Sequence, residues 1–331
     1  MSRPIRLSLP SKGRLSEEAI NFLAACGFSI YKPNPRQYEA SLPALPGLTV
    51  LFQRPTDIVL SVRDGSVDFG ISGLDVLSEH GGPNGAILAI HSALGFGSCS
   101  LNVIVPESWE TVRVMNDLKR MQAEIGRPLR VATKFPNAAA PFFAKKGLGG
   151  VIFIEAEGTL EIAPTIGYAD LIADLVSSGQ TLRDNRLKLL ADGQILASQA
   201  VLIANRAALK ENPAVLAIAR QLLEFIEAYQ RAQNNVSIFA NLRGESQQAL
   251  AASIFSQNTI GGLNGPTLSN IIRKDNQPNW YALHIVVHRE QLSAAINELR
   301  AIGGSGVVVA PVTYIFEEEP PRYKAMLEAL K

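Results

Sequence analysis

Short apolar runs alternate with longer stretches of helical periodicity along most of this chain. Runs at 5–9, 49–52 and 151–154 predict buried strands, and the periodic stretches between such runs predict helices. Strands that alternate with helices are typical of α/β architecture with mostly parallel sheets. The number of elements suits two such lobes with a cleft between them. A charged segment over 183–188 and a long amphipathic helix over 207–233 complete this part of the chain.

The pattern changes near Asn234. From there the predicted order is strand 236–242, helix 245–255, strand 267–273, strand 280–287, helix 289–302 and strand 307–315. This βαββαβ order is the ferredoxin-like supersecondary pattern. The tail that follows contains a proline break and then a short helix, which we expect to dock on the rest of the protein.

Composition and charge restrict the function classes. A chain of 331 residues is long enough for two or three domains, and its formal net charge of +1 gives no overall attraction to nucleic acid or to an anionic membrane. Any anion binding must therefore be local. The two cysteines, Cys26 and Cys99, lie in unrelated contexts and indicate neither a disulfide framework nor a cysteine metal site. With no signal segment and no bilayer-length apolar run in the sequence, we expect a cytoplasmic protein.

The stretch 157–181 carries the most distinctive chemistry. Asp170 and Asp174 are four positions apart, so they share a side whether the segment is strand or helix. A run of small and hydroxyl residues around Gly179 follows, and such a loop can direct hydroxyls and backbone N–H groups at one anion. Carboxylates that can bind sugar hydroxyls beside such a loop indicate a phosphorylated sugar. An ordinary Ser/Gly turn with a helix cap accounts for the same residues.

A second candidate lies after the first strand, where Lys12 and Arg14 flank Gly13. Open α/β sheets bind ligands at the carboxyl ends of their strands, and two cations at that position suit phosphates. A solvated basic loop is the alternative interpretation. The segment is not a Walker A loop, because the first glycine of that motif is missing.

Six motifs in the expected order resemble the ATP phosphoribosyltransferase family in its long form, which has a C-terminal regulatory domain. The similarity covers nearly the whole chain. The stretch 34–48 and the tail after Phe316 depart from the commoner family pattern. The motifs are Lys12–Ala19, Asp64–Leu77, Leu94–Leu101, Arg130–Asn137, Glu157–Leu182 and Ile302–Val312.

The resemblance implies a periplasmic-binding-protein-like catalytic unit and a ferredoxin-like regulatory domain. Its activity would be transfer of the phosphoribosyl group of phosphoribosyl pyrophosphate to N1 of ATP, with release of pyrophosphate and use of Mg²⁺, as the first step of histidine biosynthesis. Dimers and hexamers, and inhibition by histidine bound to the C-terminal domain, are further implications. The expected divisions are a discontinuous lobe I over 1–105 and 185–230, lobe II over 106–184, the regulatory domain over 235–316 and an extension over 317–331.

The resemblance also assigns residues to the substrates. Displacement at the anomeric carbon needs positioning and electrostatics rather than a nucleophile, so no histidine is required. The 5′-phosphate is assigned to Ser177, Ser178, Gly179, Gln180 and Thr181. The ribose hydroxyls are assigned to Asp170 and Asp174, and pyrophosphate or the ATP phosphates to Lys12 and Arg14. Glu161 is expected to stabilise the developing cation. Further expected substrate contacts are Asp75, Arg54, Arg36 and Lys134.

Two other classes of protein compete with this interpretation. A two-lobed solute-binding or sensor protein would close on an anion without catalysis, and its mark would be a secretion signal, which the sequence does not show. A catalytically silent regulatory relative should have lost the anion loop or its acids, and this chain keeps both. For a histidine site, the sequence offers Pro266-Thr267 and the glycine turns at Gly261-Gly262 and Gly303-Gly304.

Overall fold

A computed structural model of the chain describes residues 3–34, 36–156, 158–177, 179–272 and 279–331. Its strands are β1 (Ile5–Pro10), β2 (Glu39–Ser41), β3 (Leu48–Gln53), β4 (Phe69–Gly73), β5 (Ile87–His91), β6 (Cys99–Pro106), β7 (Arg130–Thr133), β8 (Ile152–Glu155), β9 (Leu171–Val176), β10 (Leu187–Ser198), β11 (Ala200–Asn205), β12 (Asn235–Arg243), β13 (Thr267–Asn270), β14 (Trp280–His288) and β15 (Ser305–Pro311).

Most connections between these strands are helical, as the alternating pattern predicts. The helices are α1 (Arg14–Ala25), α2 (Pro55–Arg63), α3 (Leu74–His80), α4 (Met115–Ile125), α5 (Pro136–Lys145), α6 (Gln180–Asp184), α7 (Arg206–Glu211), α8 (Pro213–Gln233), α9 (Gln247–Phe255), α10 (Leu292–Ala301) and α11 (Pro321–Leu330). Short 3₁₀ turns occupy Leu160–Ile162 and Arg289–Gln291.

The strands of the described residues form three sheets. Sheet A has the order β2-β3-β1-β4-β11-β5, in which β1 runs parallel to β3 and β4 and the late strand β11 returns antiparallel between β4 and β5. Sheet B has the order β10-β6-β9-β7-β8, with β7 parallel to β8 and β9 and with β6 antiparallel to β9. Of the nine strand pairings described in sheets A and B, four are parallel, so the sheets are mixed rather than mostly parallel as the sequence predicts. Two mixed sheets with helical connections give the two-lobed periplasmic-binding-protein-like fold. That fold class is confirmed.

Sheet C has the order β13-β14-β12-β15, and its pairings are antiparallel. Together with α9 and α10 it completes the predicted βαββαβ domain, which is confirmed. Leu283 and Ile285 of β14 alternate with less buried neighbours and pack with Ala295 and Leu299 of α10. This is the period-two burial expected where helices cover one face of a sheet.

Sheet B buries both of its faces, and β9 shows how. Leu171 and Ala173 pack into a cluster that contains Phe143 of α5, whereas Ile172 packs with Leu160 and Leu182 on the opposite face. Side chains of a strand alternate between faces, so Asp174 shares the face of Ile172. That face leads to the 3₁₀ turn at Leu160–Ile162 and to α6.

The sheets divide the sequence somewhat differently from the expected lobes. Sheet B includes β6, which begins at Cys99, and β10, which ends at Ser198, whereas lobe II was expected over 106–184. The helix expected over 207–233 is interrupted at Asn212, because Pro213 cannot donate a backbone hydrogen bond and disfavours helical geometry in the residue before it.

By its internal contacts the chain separates into two compact units. One contains the residues up to Arg220 together with Arg322–Lys331, and the other contains Gln221–Pro321. Helix α11 therefore belongs to the same unit as sheets A and B. Met326 is buried, the guanidinium of Arg206 donates to the carbonyl of Ala329 at 2.5 Å, and Arg220 lies 5.5 Å from the ring centre of Tyr323. The docking expected for the C-terminal helix is thus seen within the first unit.

Candidate functional site

The carboxyl edge of sheet B gathers several of the predicted site residues. Strands β7, β8 and β9 are parallel, so their last residues lie along one edge. Lys134 follows β7, Glu161 lies in the 3₁₀ turn beyond β8, and Asp174 lies near the end of β9. The hydroxyl of Thr133 accepts a hydrogen bond from the backbone N–H of Phe135 at 3.0 Å, which fixes the turn that carries the exposed Lys134.

The predicted anion loop begins where β9 ends. Ser177 is exposed, and Gly179 adopts a left-handed conformation (φ 70°) as the cap residue of α6. Gln180 and Thr181 are the first residues of that short helix, and both are exposed. Ser178 lies outside the described residues. Backbone N–H groups at a helix start favour anions, and anion binding by this loop stays a prediction.

Asp174 is the half-buried acid of this edge. Burial raises the pKa of its carboxyl group; the nearby charge of Glu161 raises the pKa further, while the backbone N–H of Leu175 and the charge of Lys134 lower it. The N–H of Leu175 donates to Asp174 Oδ1 at 2.8 Å. Asp174, Glu161 and Lys134 are therefore electrostatic neighbours, as a shared site requires.

Asp170 does not belong to this group. It precedes β9 at the amino edge of the sheet, where its carboxylate accepts hydrogen bonds from Arg127 Nη1 at 2.7 Å, Arg127 Nη2 at 2.9 Å, the N–H of Arg130 at 2.8 Å and Arg130 Nη2 at 3.1 Å. These bonds hold the pKa of Asp170 well below its usual range, and the hydrogen bond from the Arg127 guanidinium has the largest effect.

The assignment of Asp170 to the ribose hydroxyls therefore does not fit the geometry. A spacing of four residues does give Asp170 and Asp174 one face of the strand, but at about 3.3 Å per residue it separates them by roughly 13 Å along the strand. A cavity of about 850 Å³ does border Asp170, together with Trp109 and Arg186. It lies at the amino edge, away from the anion loop.

The carboxyl edge of sheet A carries the predicted cations. Pro10 of β1 pairs with Gln53 of β3, so Lys12 and Arg54, which follow these strands, lie along the same edge. Both are exposed. Arg14 opens α1 and forms a 3.5 Å ion pair with Glu18. Arg36 is also exposed and lies before β2 at this edge, since the N–H of Phe52 donates to the carbonyl of Tyr38.

The carboxyl edges of the two sheets lie next to each other. Ser100 pairs with Val176, so Cys99 adjoins the end of β9 that leads into the anion loop. The pKa of Cys99 is raised by burial and by the charge of Asp75, while a hydrogen bond with Ser198 and the charge of Arg14 lower it. Asp75 and Arg14 at the edge of sheet A thus act on Cys99 at the edge of sheet B. A cleft shared by the predicted cations and the anion loop stays a prediction.

Asp75 is the predicted contact that the structure places inside the protein rather than at its surface. It is 5% exposed, and the hydroxyl of Ser198 donates to its Oδ1 at 2.6 Å. Sequence reasoning missed Ser198 and also Glu79, another buried acid of α3. The four-residue spacing of Asp75 and Glu79 in a predicted helix is the feature of the sequence that could have indicated Glu79, because it places both acids on one face.

The resemblance implies Mg²⁺, and the acids of the site are its candidate protein ligands. Among the described residues, no group of three or more His, Cys, Asp or Glu is placed to hold a metal ion. Mg²⁺ that travels with substrate phosphates needs only one or two protein carboxylates. Asp174 and Glu161 are neighbouring carboxylates at the cleft, and they fit a phosphate-bound ion.

The fold and the site define a two-lobed α/β protein whose ionisable residues meet where the carboxyl edges of two sheets adjoin. The ATP phosphoribosyltransferase family profile matches residues 54–228, and the profile of its C-terminal domain, described as HisG, C-terminal domain, matches residues 232–314. The chain belongs to the ATP phosphoribosyltransferase family. It is a transferase, and the family's reaction is the first step of histidine biosynthesis; a binding protein without catalysis is not favoured.

Relatives with this name extend over nearly the whole chain. The chain is 43% identical to ATP phosphoribosyltransferase 1, chloroplastic, from Arabidopsis thaliana, over 98% of this chain and 81% of the relative. It is 33% identical to ATP phosphoribosyltransferase from Nitrobacter hamburgensis, over 98% and 97%. A chain of the ATP phosphoribosyl transferase (HisG:HisZ) complex from Thermotoga maritima is similar in fold, with a TM-score of 0.52 and 24% identity, over 67% of this chain and 98% of that one.

No helix in the described part of the chain is long and apolar enough to cross a membrane.

Proposed function

We propose that this chain joins the phosphoribosyl group of phosphoribosyl pyrophosphate to N1 of the adenine of ATP, and that the cleft between sheets A and B holds both substrates. The observation that carries the proposal is the end of β9, where a half-buried carboxylate, Asp174, stands directly before a loop that leads into a helix start. A carboxylate next to an anion loop matches the two ends of a ribose 5-phosphate.

Each substrate group then has a partner of opposite charge or hydrogen-bonding type. The 5′-phosphate lies in the loop formed by Ser177, Gly179, Gln180 and Thr181, with Ser178 kept as a prediction. The ribose hydroxyls donate to Asp174 alone, since the hydrogen bonds of Asp170 are taken by two arginines. The phosphates of pyrophosphate and ATP are held by Lys12, Arg14, Arg54, Arg36 and Lys134.

The chemistry of the step is mainly electrostatic. As the bond from the anomeric carbon to pyrophosphate lengthens, positive charge develops on the sugar and negative charge on the leaving group. Glu161 and Asp174 stabilise the first charge, and Lys12 and Arg14 stabilise the second. Asp174 and Glu161 would also hold Mg²⁺ bound to the substrate phosphates, where the ion offsets crowded negative charge. Asp75 would act on the substrates through its charge rather than by direct contact, because its carboxylate is buried and hydrogen-bonded to Ser198.

The expected division of labour among domains is part of the proposal. Lobe I over 1–105 with 185–230 and lobe II over 106–184 catalyse, the domain over 235–316 binds histidine as an inhibitor, and the chain assembles as dimers and hexamers. The βαββαβ domain, separate from the catalytic sheets, supports a regulatory role. The cytoplasmic location stays a prediction, and the name of the Arabidopsis relative contains the word chloroplastic.

The test is an assay with the purified full chain, ATP, phosphoribosyl pyrophosphate and Mg²⁺. We expect a change in ultraviolet absorbance as the adenine ring is modified, with one pyrophosphate released per product. Histidine added to the same assay should slow both signals. A protein that binds both substrates yet releases no pyrophosphate would contradict the proposal, and release without a change in adenine absorbance would indicate hydrolysis instead of transfer.

A further inference from the structure

Helix α3 carries two buried carboxylates on one face. It follows β4 of sheet A directly, and Asp75 and Glu79 are four residues apart, so both project to the same side. Their exposed fractions are only 5% and 6%. Buried carboxylates are costly unless they are hydrogen-bonded, and the partners of these two reveal what α3 does.

Asp75 binds the last residue of β10, in sheet B. The hydroxyl of Ser198 donates to Asp75 Oδ1 at 2.6 Å and accepts from the backbone N–H of Asp75 at 3.0 Å. This reciprocal pair fixes the start of α3 against the strand through which the chain returns from sheet B to sheet A.

Glu79 binds the first turn of α5, which belongs to the sheet B side. Its Oε1 accepts from the N–H of Asn137 at 3.1 Å and its Oε2 from the N–H of Ala138 at 3.0 Å, while the Asn137 amide donates to the Glu79 carbonyl at 3.3 Å. The cap residue of α5, Phe135, makes no side-chain capping bond. Glu79 therefore supplies the negative charge that a helix start favours, from a different helix.

Helix α5 begins two residues after Lys134, a cation of the candidate site. We propose that Glu79 is a positioning residue: by binding the start of α5 it holds Lys134 and the edge of sheet B in register with the cations of sheet A. This inference rests on the proposed function. Transfer needs the ribose, which lies on sheet B, and the phosphates, which lie on the cations of sheet A, in one geometry, whereas binding of ribose 5-phosphate alone needs only the sheet B side of the cleft.

The variant Glu79→Gln tests this inference, because it keeps the size of the side chain but removes the charge and one acceptor. We expect kcat to fall on the order of 10-fold to 100-fold, while the Kd of ribose 5-phosphate, which carries no pyrophosphate, measured by calorimetry, changes less than about 2-fold. Amide exchange at Asn137 and Ala138 should become faster. Glu79→Asp, which keeps the charge, should recover part of kcat.

Asp117→Asn is the matched control. Asp117 also caps a helix start, since its Oδ2 accepts from the N–H groups of Arg113 at 3.0 Å and Val114 at 3.1 Å, but it does so within its own helix, α4. We expect this variant to lose thermal stability without a change in kcat.

Three results would overturn the inference. They are a kcat of Glu79→Gln within 2-fold of the parent protein, an equal loss of kcat in Asp117→Asn, or unchanged amide exchange at α5 in Glu79→Gln. An inactive parent protein would instead refute the proposed function and with it the effect on catalysis. The amide-exchange measurement would then be the test of the contact between Glu79 and the start of α5.

Discussion

Asp174 and Asp170 are side chains of the same kind in opposite electrostatic surroundings. Burial opposes the charge of Asp174 and raises its pKa, whereas Arg127 and Arg130 stabilise the charge of Asp170. Perturbed acids are found both in functional sites and in structural ion pairs. Asp174, which accepts a hydrogen bond from the backbone of Leu175, has the properties of the first kind, and Asp170, with four hydrogen bonds from two arginines, has those of the second.

The two acids should therefore respond differently to the same substitution. Asp174→Asn should lower kcat on the order of 100-fold, because a transition-state interaction is lost, and should leave the free energy of unfolding nearly unchanged. Asp170→Asn should lower the free energy of unfolding by roughly 2 kcal/mol, since charge-assisted bonds to partly exposed arginines are lost, and should keep kcat. Denaturant titration and steady-state kinetics on both variants measure the two quantities, and an exchange of these effects would contradict the assignment.

The contribution of Asp170 to stability should depend on pH. Its pKa is lower in the folded protein than in the unfolded chain, so the contribution is fully present above about pH 4 and is lost as the pH decreases further. The difference in unfolding free energy between the parent protein and Asp170→Asn should thus be constant at neutral pH and shrink in acid. A difference that persists unchanged at pH 2 would argue against the ion pair.

The pH dependence of activity should be displaced in the opposite direction, toward higher pH. Asp174 accepts from the sugar hydroxyls as a carboxylate, and its pKa is raised mainly by burial. As the pH decreases, kcat/KM should therefore begin to fall at a higher pH than an ordinary aspartate would produce. The profile of the residual activity of Asp174→Asn should lack this acid limb. The same limb in both proteins would assign it to another group, such as the substrate phosphates.

At the scale of elements, the left-handed residue before α6 shapes the anion loop. Gly179 has φ 70°, and a methyl group there would meet Arg183 Nη1 at 3.8 Å and Val176 Cγ1 at 4.0 Å, which are ordinary contacts. The substitution Gly179→Ala should therefore act through the backbone, at a cost of about 1 kcal/mol. We expect a higher KM for phosphoribosyl pyrophosphate.

Gly126→Ala is the control for this loop. Gly126 has φ 69° after α4, with open space where the methyl group of an alanine would lie, so its backbone cost should be similar. It lies away from the cleft edge and should leave the KM unchanged. Equal KM values for the parent protein and Gly179→Ala would show that the loop does not bind the phosphate.

Periodicity predicted the elements better than it predicted their limits. The βαββαβ order followed from local pattern, which reflects burial of one face, whereas the pattern left open whether the segment that forms β9 is strand or helix. Strand β10 was missed because it carries Lys188 and Asp192 and its pairing with β6 shifts register near Gln194. The spacing of Asp170 and Asp174 gave their shared face, but only the strand geometry and the distant Arg127 separate their roles, and no local pattern encodes such a contact.

At the scale of the whole molecule, α11 brings the end of the chain back to the first unit. Met326 is 3% exposed in that contact. The variant Met326→Ala should lower the free energy of unfolding by about 2–5 kcal/mol, through lost burial and a cavity. Lys324→Ala, at an exposed position of the same helix, should change it by less than about 0.5 kcal/mol. Denaturant titration compares them, and equal effects would mean that the helix does not dock.

The return of α11 also makes the second unit, Gln221–Pro321, an insertion rather than an appendage. If that unit unfolds while α11 stays bound, its chain forms a closed loop of about 100 residues. A cross-link around a loop of that length removes entropy equivalent to about 4–5 kcal/mol from the unfolded ensemble. The last ten residues can therefore favour the folded βαββαβ domain through the chain connection alone, up to the limit set by their own binding energy.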